Sequence, residues 1–232
     1  MNDDLKILAI DTATDYLSVA LLKGDVIVSE ITLFAPKKHS EILPEILDFI
    51  LEKNDMKISD DIIIAISIGP GSYTGLRVGI SFVQGLSVSK GLKIVAVDTL
   101  RAIAFRFAPN YIPVAVALDA RAGGIYAALY DIVGKPSPII ESNVFGLTDL
   151  AYKLSSRDKI LFVGNETIYN KMLSEVNGTS LIYAGEPKPS AGMVAKLAIF
   201  EVHSGRFLEP ELLEPKYLRQ FKAGKRKRKP IL

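Results

Sequence analysis

The first apolar run, Leu5-Lys6-Ile7-Leu8-Ala9-Ile10-Asp11, is short and ends in a carboxylate, a pattern that predicts a buried strand. Thr12 to Asp15 is polar and turn-like. Tyr16 to Lys23 and Asp25 to Phe34 are β-rich runs that meet at Gly24-Asp25, which predicts a hairpin. A helix is predicted from an N-cap at Ser40 to about Lys53, with Glu41 favourable near its start and Pro44 tolerated in the first turn. Ile62 to Ile68 is a continuous β-branched run, as expected of a strand covered on both faces. It breaks at Gly69-Pro70-Gly71. A second helix is predicted over Thr74 to Lys90, stopping near Gly91, then a strand at Lys93–Val97 and a helix at Thr99–Phe107.

Beyond Pro109 the pattern partly repeats. Ile112 to Asp119 is again an apolar strand ending in Asp, and Gly124 to Asp131 is the next strand. Leu147–Leu154 reads as helix, Ile160–Val163 and Ser180–Tyr183 as strands, and Ser190–His203 as helix. Alternating strands and helices imply an α/β fold with mixed sheets, and two halves opening alike imply a duplication. The expected division is 1–107, 108–219, and a basic tail at 220–232, expected to be disordered. The linker Phe107 to Tyr111 marks the boundary between halves.

Charge sharpens that division. The net charge is only +2, yet the stretch Phe221 to Pro230 holds six of the 28 basic residues. Without it the body is slightly acidic, so it is no basic platform for nucleic acid. The chain has no cysteine, which excludes disulfides, thiolate metal sites and a cysteine nucleophile. Met1-Asn2-Asp3-Asp4 is acidic where a secretory leader is basic, and no apolar run has the roughly 18 to 20 residues of a membrane span. A cytoplasmic location without membrane contact is expected.

Candidate chemistry is sparse. The turn Gly69-Pro70-Gly71-Ser72-Tyr73-Thr74-Gly75 joins a strand to a helix, where phosphates bind well. It fits neither the P-loop, which needs a lysine, nor the dinucleotide pattern, which needs glycine in place of Thr74. The alternative is a tight strand-to-helix turn. Asp11 and Asp119 end corresponding strands. They could together hold a magnesium ion or a water, or each could cap its own turn. The two histidines, His39 and His203, have no metal-ligand spacing, and Gly-x-Ser-x-Gly is absent. Both long helices of the first half are apolar around more than one stripe. The second also carries small residues at Gly75 and Gly79, and at Ser81, Gly85 and Ser89. A protein–protein surface on these helices is the expected use of that excess.

The block Ile68-Gly69-Pro70-Gly71-Ser72-Tyr73-Thr74-Gly75-Leu76-Arg77-Val78-Gly79 resembles the TsaB (YeaZ) family. Ile7 to Ala13, His39-Ser40-Glu41 with Leu43-Pro44, Asp119-Ala120-Arg121, and Glu214 to Arg219 agree in order. The resemblance implies the duplicated actin/sugar-kinase/Hsp70-like (ASKHA) fold. It implies a non-catalytic scaffold that activates the catalytic paralogue TsaD in making threonylcarbamoyladenosine on tRNA. TsaD carries a histidine metal motif where this chain has Val97 to Ile103, and both histidines are absent here. No catalytic residue and no metal ligand is therefore expected. No cofactor is expected on this chain alone, with ATP used by partners. The implied partners are TsaD, the ATPase TsaE, a second copy of the chain as a homodimer, and tRNA indirectly, through the basic tail. The expected interface residues are Ile42, Ile46, Phe49 and Lys53 on the first helix and Gly75, Val78, Gly79, Phe82, Gly85 and Leu86 on the second. Candidates for residual nucleotide binding are Asp11, Thr12, Gly71, Ser72 and Asp119. The alternative reading is a stand-alone enzyme of the same fold, a nucleotide-using phosphotransferase or a peptidase. Gly164-Asn165-Glu166 and the basic tail depart from the family pattern.

Overall fold

The computed structural model describes residues 5–59, 61–121, 123–155 and 157–218, so the tail at 220–232 lies outside the described residues. The first sheet holds β1 (Lys6–Asp11), β2 (Tyr16–Lys23), β3 (Val26–Phe34), β4 (Ile62–Ser67) and β5 (Lys93–Val97), in the order β3-β2-β1-β4-β5. β1, β2 and β3 are antiparallel neighbours, whereas β4 and β5 continue parallel to β1. The second sheet holds β6 (Asn110–Asp119), β7 (Ile125–Ile132), β8 (Ser137–Phe145), β9 (Lys159–Gly164) and β10 (Ser180–Tyr183), in the order β10-β9-β6-β7-β8. Its pairing repeats the first: β6, β7 and β8 antiparallel, β9 and β10 parallel to β6.

The helices repeat too. α1 (His39–Lys53), α2 (Tyr73–Lys90) and α3 (Thr99–Phe105) occupy the same places in the first half as α4 (Leu147–Leu154), α5 (Glu166–Glu175) and α6 (Ala191–His203) in the second. This is the duplicated α/β fold that the sequence implies. α2 starts where Ser72 caps it through Gly75 N and stops at Gly91, whose φ of 68° suits glycine. α1 differs from expectation at its start. It begins at His39, not after a Ser40 cap, because Lys38 O already accepts from Glu41 N and Ile42 N.

The two halves exchange their last helices, which corrects the division at residue 107. α3 buries Leu100, Ile103 and Ala104 against Val114, Val116 and Tyr130 of the second sheet. α6 buries Ala191, Val194, Ala195 and Ala198 against Ile7, Ala9 and Ala20 of the first. Each sheet is covered on one face by a helix from the other half, so neither half closes its core alone. Glu30 on β3 fixes α6, accepting from Ser190 Oγ at 2.8 Å and from Gly192 N at 3.1 Å. After α6 the chain crosses back over the first half. Leu208 N bonds Ile94 O at 2.9 Å, Leu213 is buried in the first core, and Lys216 N bonds Ile68 O at 2.7 Å.

Candidate functional site

A cleft of about 1640 Å³ opens between the halves at the carboxyl ends of β1 and β6. Ala13, Thr14, Gly71 and Ser72 form one wall, and Asp119, Ala120, Arg121 and Asn165 form the other. Ligands of open α/β sheets gather at such strand ends.

The two strand-ending carboxylates make the same local turn. Asp11 Oδ1 accepts from Ala13 N at 2.9 Å, and Asp119 Oδ1 accepts from Arg121 N at 2.7 Å. Each caps its own turn, and the shared geometry marks the duplication. Their surroundings differ. Asp119 is exposed on the cleft wall, whereas Asp11 is 0% exposed. Burial pushes the Asp11 carboxyl above the ordinary carboxylate value, and the Ala13 amide and the charge of His39 oppose this. Asp11 and Asp119 therefore do not form one open carboxylate pair.

Three glycines explain why Asp11 and its neighbour are enclosed. A methyl group on Gly71 would sit 2.2 Å from Ala13 O, and one on Gly75 would sit 2.2 Å from Thr12 O. One on Gly79 would meet Thr12 Oγ1 at 2.3 Å. The glycine-rich turn presses the first two turns of α2 onto the end of β1. Two backbone donors there are already used: Ser72 N bonds Ala13 O at 2.7 Å and Gly75 N bonds Ser72 Oγ at 3.3 Å. Of the five nucleotide candidates, Gly71, Ser72 and Asp119 line the cleft, while Asp11 and Thr12 are fully buried beneath it.

The same contacts correct two interface candidates. Gly75 and Gly79 are buried and face β1 of their own chain, because only glycine lets α2 approach Thr12 so closely. Ile46 is also buried in the first core. On the outer side of α1, Phe49 is 49% exposed, with Lys53 Nζ 5.5 Å from its ring centroid. Ile42, Phe82 and Leu86 are half-buried and pack against the first core, and Val78 is half-buried. Gly85 is exposed with nothing within 4 Å of its Cβ position, and Val88 beyond it is 68% exposed. Phe49, Lys53 and Gly85 are thus the candidates that stand exposed on α1 and α2.

Two groupings escaped the sequence reading. Asp98, the cap of α3, accepts from Arg101 N, Tyr130 Oη, Ser142 Oγ and Lys216 Nζ, the last at 2.7 Å. It ties α3, the second sheet and the C-terminal crossing segment together. Tyr73 and Tyr217 stack at 5.2 Å beside the cleft, and Arg77 lies 4.0 Å over the Tyr73 ring. The four-residue spacing of Tyr73 and Arg77 on α2 signals part of this; Tyr217 reaches it only through the fold.

Residues 31–211 match the family described as TsaD, tRNA N6-adenosine threonylcarbamoyltransferase. A protein named tRNA threonylcarbamoyladenosine biosynthesis protein TsaB from Bacillus subtilis is 32% identical over 178 residues, 75% of this chain and 78% of that protein. The chain belongs to the TsaB (YeaZ) family. The Escherichia coli protein of the same name is 39% identical over 129 residues, 54% of this chain and 55% of its own length. A Pseudomonas aeruginosa structure described as similar to peptidase YeaZ superposes with a TM-score of 0.81 at 26% identity, covering 93% of this chain and 100% of that one. No described helix is long and apolar enough to cross a membrane.

Proposed function

We propose that this chain is the non-catalytic scaffold of a cytoplasmic threonylcarbamoyladenosine-forming complex, holding and activating a TsaD-type catalytic subunit. The carrying observation is that α1 and α2, which pack against one another, leave Phe49, Gly85 and Val88 exposed. Exposed large apolar side chains on two neighbouring helices suit an interaction surface. Two such helices can supply the roughly 800 Å² per partner of a standard interface.

The enclosure of Asp11 favours a scaffold over the alternative of a stand-alone phosphotransferase or peptidase. A fully buried carboxyl with a raised pKa is poorly placed to meet a substrate in the cleft. The same outer faces of α1 and α2 serve a second copy of this chain when the catalytic subunit is absent, so homodimer and complex exclude one another. A TsaE-type ATPase joins the complex and uses the ATP, and this chain needs no cofactor of its own. tRNA reaches it within the assembly.

Co-purification tests the reading. A tagged full-length chain is expected to retain a TsaD-type subunit, and Phe49→Asp is expected to release it while the protein stays folded. Retention unchanged by Phe49→Asp would place the contact elsewhere.

A further inference from the structure

We infer that the outer face of α1 selects its partner by charge: the surface that covers it has an apolar centre bordered by lysine or arginine, and it displaces a second copy of this chain because only it supplies the opposite charge. This rests on the reading of α1 and α2 as the partner-binding faces, and it names the chemistry of the partner there.

α1 provides the first observation. Glu41, Glu45, Asp48 and Glu52 are spaced four, three and four residues apart, so they stand in one row down the helix, about 16 Å long. All four are exposed, and Leu43, Leu47 and Ile50 on the other side of the helix are buried in the first core. Among the described residues none of the four carboxylates is in an ion pair. Phe49 is 49% exposed beside the row, one turn from Glu45 and from Glu52. Lys53 turns its ammonium to that ring, 5.5 Å from the centroid.

α2 provides the second. Between Arg77 and Lys90 its sequence holds no charged residue. Ser81, Gly85, Val88 and Ser89 are exposed on it. Since α1 and α2 pack against one another, a neutral face of small and apolar residues lies next to an acidic one.

This pairing of faces decides between occupants. The carboxylates run along a helix and do not gather around a point, and no group of three acidic or histidine residues among the described residues could hold a metal ion. RNA would bring phosphates to a row of carboxylates and is repelled. A second copy brings an identical acidic row, so its isologous contact places like charges in one interface. A protein surface with cations at helical spacing around an apolar patch pairs the row and covers Phe49 and Val88. Charge at an interface rim acts mainly on the encounter rate and on the choice between partners. The row therefore speeds the heterologous partner and keeps the self-contact weak.

The test uses the full-length chain with a TsaD-type subunit from the same organism, and sedimentation velocity of the chain alone as a second readout. Raising salt from about 0.05 M to about 0.5 M shortens the screening length from roughly 14 Å to roughly 4 Å. It is expected to slow association with the TsaD-type subunit about tenfold and to tighten self-association about threefold. Glu45→Gln with Asp48→Asn is expected to show both changes already at low salt and to lose most of the salt dependence. Glu45→Lys with Asp48→Lys is expected to slow association with the TsaD-type subunit about twentyfold, with thermal melts showing that both variants fold. Association indifferent to salt and to the charge reversal overturns the inference and leaves the scaffold reading standing. Self-association that weakens as salt rises, or a salt dependence equal in the parent and the neutral variant, also overturns it. Failure of the TsaD-type subunit to bind under any of these conditions overturns both.

Discussion

The Cβ position of Gly75 lies 2.2 Å from the carbonyl oxygen of Thr12. No side chain can be added there without moving α2 off β1, because the obstacle is backbone. Gly75→Ala is accordingly expected to destabilise the protein by about 1–3 kcal/mol or more. Chemical denaturation followed by circular dichroism measures it, and Gly79→Ala, which meets the Thr12 hydroxyl at 2.3 Å, is expected to behave alike.

Gly85 lies three turns along the same helix with open space at its Cβ position. Gly85→Leu is expected to leave thermal stability within about 0.5 kcal/mol of the parent, as surface substitutions do. It is expected to weaken self-association and TsaD binding together. Sedimentation velocity and a pull-down on the same preparation read both. Loss of one without the other would show that the two partners use different faces.

Asp98 collects four hydrogen bonds from three parts of the fold. Asp98→Ala strands the half-buried Lys216 ammonium, the Tyr130 hydroxyl and Ser142, and is expected to cost about 3 kcal/mol. Burial and the neighbouring Asp98 charge hold the Tyr130 hydroxyl far above the ordinary tyrosine value, so it stays protonated and donating across the usable pH range. Urea denaturation of the variant, set beside Lys216→Met, separates the network from the single ion pair.

Asp11 gives a pH signature. Its folded pKa is raised above the ordinary 3.8, chiefly by burial. Such a group adds stability that is fully present below the unfolded value and is lost as pH rises through the folded value. Asp11→Asn keeps an acceptor for Ala13 N and removes the titration. The melting temperature of the parent, relative to Asp11→Asn, is therefore expected to fall as pH rises above 3.8. Parallel curves for the two proteins would contradict a raised pKa.

Much of the fold was legible because its signals were local. The continuous apolar run of β4, the Ser72 cap and the left-handed Gly91 stop of α2, and the Ser190 cap of α6 each stand in a few adjacent residues. β8 and α5 were not predicted. β8 is an edge strand with Pro138 and mostly exposed residues, and α5 buries only Met172, so neither carries a strong apolar period. The exchange of α3 and α6 between halves is long-range and leaves no local mark. For the site, Asp11 and Asp119 read as strand-end residues and Gly71 as part of the strand-to-helix turn, but the separation of the two carboxylates into buried and exposed depends on how the fold packs around each. Small size at Gly75 and Gly79 was visible; its direction, inward onto Thr12, was not, because helix periodicity alone does not say which neighbour comes close.

The most direct measurement is modification of unmodified tRNA by a TsaD-type subunit and a TsaE-type ATPase, with and without this chain, read as threonylcarbamoyladenosine by mass spectrometry of the digested tRNA. Modified nucleoside is expected only when this chain is present, to be retained with Asp11→Asn and lost with Phe49→Asp. Full modification in its absence, or modification by this chain alone, would contradict the scaffold role.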